Sequence, residues 1–123
     1  MHITRTRPDT VAAPAEAVTG SAWIDEIAVP AGSRLRVSSV HFAPGARTAW
    51  HRHPHGQLLL ITEGSGLVQR RGGPVETVRA GERVRVEAGE WHWHGAGPTT
   101  FMTHLAVQEA AEDGTEAELG AHV

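Results

Sequence analysis

Glycine divides the middle of this chain into pieces too short to stand as helices. Gly45, Gly56, Gly64, Gly66, the Gly72-Gly73 pair, Gly81, Gly89 and Gly95 separate segments rich in β-branched and apolar residues, at 35–42, 57–62, 67–70, 75–78, 83–86 and 99–107. Isolated helices of such length are marginal in water. Short strands joined at this spacing by Gly and Pro turns predict an all-β sandwich or barrel. Arg83-Val84-Arg85-Val86 alternates as a strand with one wet face does. Gln69-Arg70-Arg71-Gly72-Gly73-Pro74 reads as a hairpin tip, where glycine supplies positive φ. Leu58-Leu59-Leu60-Ile61 is a continuous apolar run, and its flanking glycines favour a strand buried on both faces.

The ends carry weaker patterns. Residues 8–20 hold Pro8, Pro14 and several alanines and read as a loop or a short helical turn. Residues 109–119 are acidic and alanine-rich, interrupted by Gly114, and read as a frayed helix or a mobile tail without chemistry. A chain of 123 residues suits one domain over 1–123, with its core in about 35–108 and the N-terminal arm and acidic tail peripheral.

Composition narrows the function classes. The chain has no cysteine, which excludes disulfides, thiolate metal sites and thiol nucleophiles. Eleven basic and 14 acidic side chains give a formal net charge of −3, without the basic footprint of a nucleic-acid binder. No apolar run approaches the ~20 residues that cross a bilayer, and the start lacks the apolar stretch of a secretory signal. The expectation is a cytoplasmic domain acting on a small molecule, with no nucleic-acid or membrane partner.

Histidine is the outlier. Seven of the nine histidines lie between His41 and His104, and Trp50, Trp91 and Trp93 sit beside them. His51-Arg52-His53 places two imidazoles two residues apart, which on a strand projects both to one face. Gln57 can add a carbonyl oxygen from the next segment. His92-Trp93-His94 repeats the spacing, and a third inward histidine from an opposing wall completes a three-nitrogen site with positions open for water or substrate. One such pair alone reads more readily as surface histidines on glycine-rich loops; two in matching settings favour a metal.

These residues resemble the cupin family. Gly45, His51, His53, Gln57 and Gly64 fall on the first cupin motif with each gap correct, glutamine standing where glutamate is usual. Gly81, Gly89 and His92 fit the second motif, with Glu87 in place of its proline and Ala96 in place of its asparagine. The resemblance implies a single-domain jelly-roll β-barrel holding one divalent metal ion through His51, His53, Gln57 and His92, in an assembly of two or four copies. Glutamine for glutamate removes a negative charge from the ligand set, so the ion polarises a bound oxygen more strongly, which favours Lewis-acid over redox chemistry.

A narrower resemblance lies in the strings around Thr48, in Glu90-Trp91-His92-Trp93-His94-Gly95-Ala96 and in Met102-Thr103-His104-Leu105-Ala106. They look like those of the manganese-dependent cupin hydroxynitrile lyases, which cleave or form cyanohydrins. The likeness implies manganese, with iron, zinc or nickel as alternatives, and pocket polar groups Thr48, His94, His104 and Gln108. His104 is expected as the base, with a core histidine as its plainer reading. His94 is a second choice for the base or a brace for His92, and Thr48 orients substrate. Strand alternation adds Ser38, Val40, Phe42 and Met102 to the pocket wall and turns His41 away; His55 is expected in solvent and the three tryptophans in packing. Two other classes remain: a cupin oxygenase or isomerase, and a non-catalytic metal or small-molecule binding module.

Overall fold

The computed structural model covers residues 1–123. In chain order its strands are β1 (Thr10–Ala12), β2 (Val18–Thr19), β3 (Ala22–Ala28), β4 (Leu35–Phe42), β5 (Arg47–Thr48), β6 (His51–Arg52), β7 (Gln57–Arg70), β8 (Glu76–Arg79), β9 (Arg83–Val86), β10 (His92–Ala96), β11 (Met102–Glu109) and β12 (Glu118–Leu119). There is no helix, so none long and apolar enough to cross a membrane. All strand pairings are antiparallel, and they curl into an all-β barrel in which β1-β3-β4-β11 leads through β7 to β10-β5-β2.

β7 joins the two walls. Its first half pairs with β11 and β9, and its second half with β10 and β8. The register against β11 slips between His104↔Ile61 and Thr103↔Glu63, leaving Thr62 as an extra residue. Such a bulge bends a strand and raises its twist. Gly64 follows with φ 72°, and a Cβ there would strike the Phe101 carbonyl oxygen. The segments 57–62 and 67–70, expected as separate strands, are therefore one strand turning a corner.

Cross-strand partners share a face, so the register stacks the interior in layers. Ala22, Phe42, Met102 and Gly64 form one row, and Ile24, Val40, His104 and Ile61 the next. Beyond them come Ser38, Ala106, Leu59 and Val84, then Arg36, Gln108, Gln57 and Val86. On the facing wall Ala96, His94 and His92 run in the same direction opposite Gly66, Val68 and Arg70. The apolar cluster of Val18, Ala22, Phe42, Ala46, Ile61, Val78, Ala96 and Met102 closes one end. The polar side chains occupy the middle and the other end.

Four further expectations change. Residues 8–20 hold β1 and β2 on either side of one turn, in which the Ala17 and Val18 N–H groups both donate to the Pro14 carbonyl. Val18 and Ala22 join the buried cluster, so this arm is part of the core. The final segment begins at Met102, with residues 97–101 outside any strand and the chain bending at 98–100. Leu59 and Ile61 are buried but Leu58 is 41% exposed, so the apolar run lines the barrel on one side only. Residues 109–119 are not a helix: Glu118 and Leu119 pair with Arg52 and His51. A short strand there satisfies backbone groups along β6 that would otherwise form an open sheet edge.

Candidate metal centre

His51 on β6 and His92 on β10 face each other across an antiparallel pair, and His53 follows His51 on the same side of the chain. The three rings converge, with one nitrogen from each lying within 4.8 Å of the others, and all three residues are buried. Each ring is held by its other nitrogen. Nδ1 of His51 donates to the Ala49 carbonyl at 2.9 Å, Nδ1 of His92 to the Glu90 carbonyl at 3.0 Å, and Nδ1 of His53 to the Glu116 carbonyl at 2.7 Å. A carbonyl can only accept, so the proton sits on Nδ1 and the Nε2 lone pair points inward, as in metal-ligating histidines.

Burial reinforces that state. It pushes the His51 imidazole down to about 3, with the nearby His92 lowering it further, and the His92 imidazole down to about 4. His53 is lowered too, again mainly by burial. At neutral pH all three are uncharged donors.

Two observations show that this pocket fits a cation. His53 Nε2 is buried with no hydrogen-bond partner. Gln57 turns its amide nitrogen to Gln108 Oε1 at 2.8 Å, and its own oxygen then lies 3.1 Å from His92 Nε2. With the His92 proton on Nδ1, these are two acceptors facing each other, an arrangement a divalent ion between them would stabilise. The donor set of three imidazoles and one amide oxygen suits a first-row divalent metal.

The second pair of histidines lies one layer deeper. His94 and His104 are both buried, with His104 Nε2 and His94 Nδ1 3.0 Å apart. Their remaining nitrogens, His94 Nε2 and His104 Nδ1, have no partner. Burial lowers both, His104 to about 4 and His94 well below its usual value, where His104 adds to the effect. The His94 ring is 5.1 Å from that of His51 and 5.5 Å from that of His92. Thr48 Oγ1 accepts from the His94 backbone N–H at 3.1 Å, which leaves its hydroxyl proton free.

The other expected pocket residues are inward, with different surroundings. Phe42 touches both deeper histidines, with ring centroids 5.4 Å from His104 and 6.0 Å from His94. Val40 and Ser38 share the inner face through their pairing with His104 and Ala106. Met102 is fully buried in the apolar cluster, against the backbone at Gly66. His41 faces outward, bonded to Asp25 at 2.9 Å and Thr103 at 3.1 Å. His55 is exposed beside a cleft of about 630 Å³ that reaches Gln57 and Gln108. Trp93 packs on the opposite side of β10, donating to Gln69 Oε1 at 2.8 Å beneath the Arg47 guanidinium, while Trp50 and Trp91 flank Arg71.

Sequence reading missed the carbonyls that orient the rings. Ala49 and Glu90 each stand two residues before their histidine, a regularity that could have been noticed. Glu116 is 63 residues from His53, and nothing local announces it. Inward-facing Val68, Val84 and Val86 were also missed. They line a cleft of about 380 Å³ that reaches His92.

Comparison with known proteins agrees with this construction. A family model described as a cupin domain matches residues 38–105. The chain is 50% identical over 111 residues to an (R)-mandelonitrile lyase of Granulicella tundricola, covering 89% of this chain and 84% of that protein. A cupin-like protein of Thermotoga maritima superposes with a TM-score of 0.86 at 31% identity, over 99% of this chain and 91% of the other. The polyketide cyclase RemF of Streptomyces resistomycificus shares the fold, with a TM-score of 0.76 at 23% identity over 90% and 81% of the two chains. A metal-ready histidine cluster reached from strand alternation thus sits in a barrel whose sequence and shape are both shared, and the chain belongs to the cupin family.

Proposed function

We propose that this cupin is a metal-dependent lyase of the hydroxynitrile lyase type, splitting a cyanohydrin into a carbonyl compound and hydrogen cyanide. The observation that supports it most is the buried His94–His104 pair, with unpartnered nitrogens, one ring away from the metal-ready cluster. Its 50% identity to an (R)-mandelonitrile lyase points the same way. His51, His53, Gln57 and His92 would hold the ion, manganese by resemblance. When bound, it supplies Lewis-acid stabilisation of developing negative charge.

The chain's own residues then manage the proton. One nitrogen at the His94–His104 contact must donate and the other accept, so the pair keeps one free lone pair and one free N–H at its ends. With the shared proton on His94 Nδ1, the free lone pair is that of His94 Nε2. A proton taken up there, with the shared proton passing across the 3.0 Å contact to His104 Nε2, leaves the positive charge on His104. The free lone pair takes the cyanohydrin hydroxyl proton as the C–CN bond breaks, its electrons leaving on cyanide while the C=O bond forms. The proton then returns to cyanide. His104 acts as base through this pair, and burial keeps both rings uncharged at neutral pH. The free Thr48 hydroxyl donates to the substrate oxygen, and Phe42, Val40, Ser38 and Met102 shape the apolar side, with Gln108 fixing Gln57.

The partner is a small molecule. A second copy of the chain is also proposed, because Leu58 is 41% exposed and Leu60, Leu105, Val107 and Val37 are half-buried on one outer face.

The test is release of benzaldehyde from (R)-mandelonitrile by manganese-loaded protein, beside metal-free protein and His104→Ala. Metal-dependent release, lost in both controls, is expected. No release above background with metal confirmed in the protein would reject cyanohydrin cleavage and turn the search to oxygen-dependent or isomerase substrates.

A further inference from the structure

We propose that Glu116 is a positioning residue of the metal centre: through Gln108, its carboxylate decides which end of the Gln57 amide faces the histidines. This rests on the reading of His51, His53, Gln57 and His92 as ligands. A glutamine can ligate a cation only through its oxygen, yet oxygen and nitrogen of an amide occupy nearly the same shape. Something must break that tie.

The hydrogen-bond order breaks it from outside. An ionised carboxylate only accepts. Glu116 Oε1 lies 3.2 Å from Gln108 Nε2, so Gln108 presents its nitrogen to Glu116 and its oxygen inward. That oxygen takes Gln57 Nε2 at 2.8 Å, and Gln57 Oε1 is left facing His92 Nε2 at 3.1 Å. Reversing both amides would set an oxygen against the carboxylate at one end and push N–H groups toward the ion at the other. Glu116 Oε2 leans toward Arg36 Nε at 3.8 Å, leaving Oε1 for Gln108.

Glu116 acts on a second ligand through its main chain, since its carbonyl accepts from His53 Nδ1 at 2.7 Å. The segment is held in place for both tasks. Glu118 bonds Arg52 at 2.8 Å and β12 pairs with β6, while Gly120 N–H donates to the Trp50 carbonyl at 2.6 Å. The acidic tail that reads as chemically idle thus reaches two of the four ligands.

The experiment measures Mn²⁺ affinity, read from the EPR signal of free Mn²⁺, for the native chain, Glu116→Gln, Gln57→Glu and the double variant. Glutamine at 116 keeps the main chain and the side-chain shape but offers either an oxygen or an N–H, so the order is no longer imposed. Affinity should fall about tenfold, as for other outer partners of metal ligands, with the metal-free melting temperature unchanged. Glutamate at 57 has two oxygens and needs no orientation. Gln108 then turns its nitrogen to residue 57, its oxygen opposes Glu116, and adding Glu116→Gln should leave affinity unchanged or raise it.

Equal losses in both backgrounds would overturn the proposal, because a role limited to anchoring the tail predicts that result. Native binding with no loss in Glu116→Gln would overturn it alone. Failure of the native chain to bind Mn²⁺ would overturn the metal reading as well.

Discussion

Acid should unfold the metal-free chain well before its carboxylates protonate. The perturbation is a drop from pH 7.5 to 5 in the presence of a chelator. His104 titrates near 6.5 when unfolded and near 4 in the fold, with burial as the main cause. A buried histidine held below its free value makes the unfolded state the better proton binder, so stability rises with pH between the two values. The loss therefore begins as pH falls through 6.5 and ends near the folded value. At pH 5 the unfolded imidazole is almost fully protonated and the folded one about one tenth so, which costs about 2 kcal/mol. His51, lowered to about 3, and His92, lowered to about 4, each add a similar amount. Together the three cost about 6 kcal/mol, within the whole stability of an ordinary domain at about 5–15 kcal/mol. His53 and His94 act in the same direction. Asp25 and Asp113 do not interfere: their carboxyls are lowered by hydrogen bonds, so the stability they contribute is lost only below about 4. Urea unfolding followed by tryptophan fluorescence should show the midpoint falling by about 2 M or more. His104→Gln should remove its own share of that loss, about 2 kcal/mol. A midpoint flat across this range in the chelated protein would refute buried, neutral histidines.

Two more outcomes follow from packing. Gly66→Ala places a Cβ against the Gly95 carbonyl oxygen and the Met102 sulfur, and should cost about 2–4 kcal/mol in urea unfolding; a loss under about 0.5 kcal/mol would show that the wall can move. If the proposed second copy binds there, the native chain sediments as an oligomer, and Leu58→Lys, which puts a charge on the outer apolar face, should shift it to monomer with the melting temperature of the monomer retained. An unchanged assembly state would exclude that face as the contact.

The histidine cluster is largely legible in the sequence because its information is local. Alternation along a strand sends His51 and His53, and separately His92, to one side whatever the rest of the chain does. Short β-rich segments separated by turn residues point to an all-β barrel, although β7 runs through Gly64 and Gly66 as one strand. Val40, Phe42 and the outward His41 follow from the same period of two. Leu58 misleads because an apolar run has no period, and only packing tells which side is buried.

Sequence by itself determined the β class, the histidine cluster and the inward face of β4 and β11, since each depends on spacing within a segment. Tertiary structure decided that one strand turns a corner at Thr62 and Gly64, that His94 and His104 meet, and that Glu116 reaches His53 and Gln108. Those depend on which distant segments pack together, and local pattern does not encode a hydrogen bond spanning 63 residues. The acidic tail shows the difference most clearly. Its composition describes a solvated segment, and its partners on β6 and β11 make it part of the site.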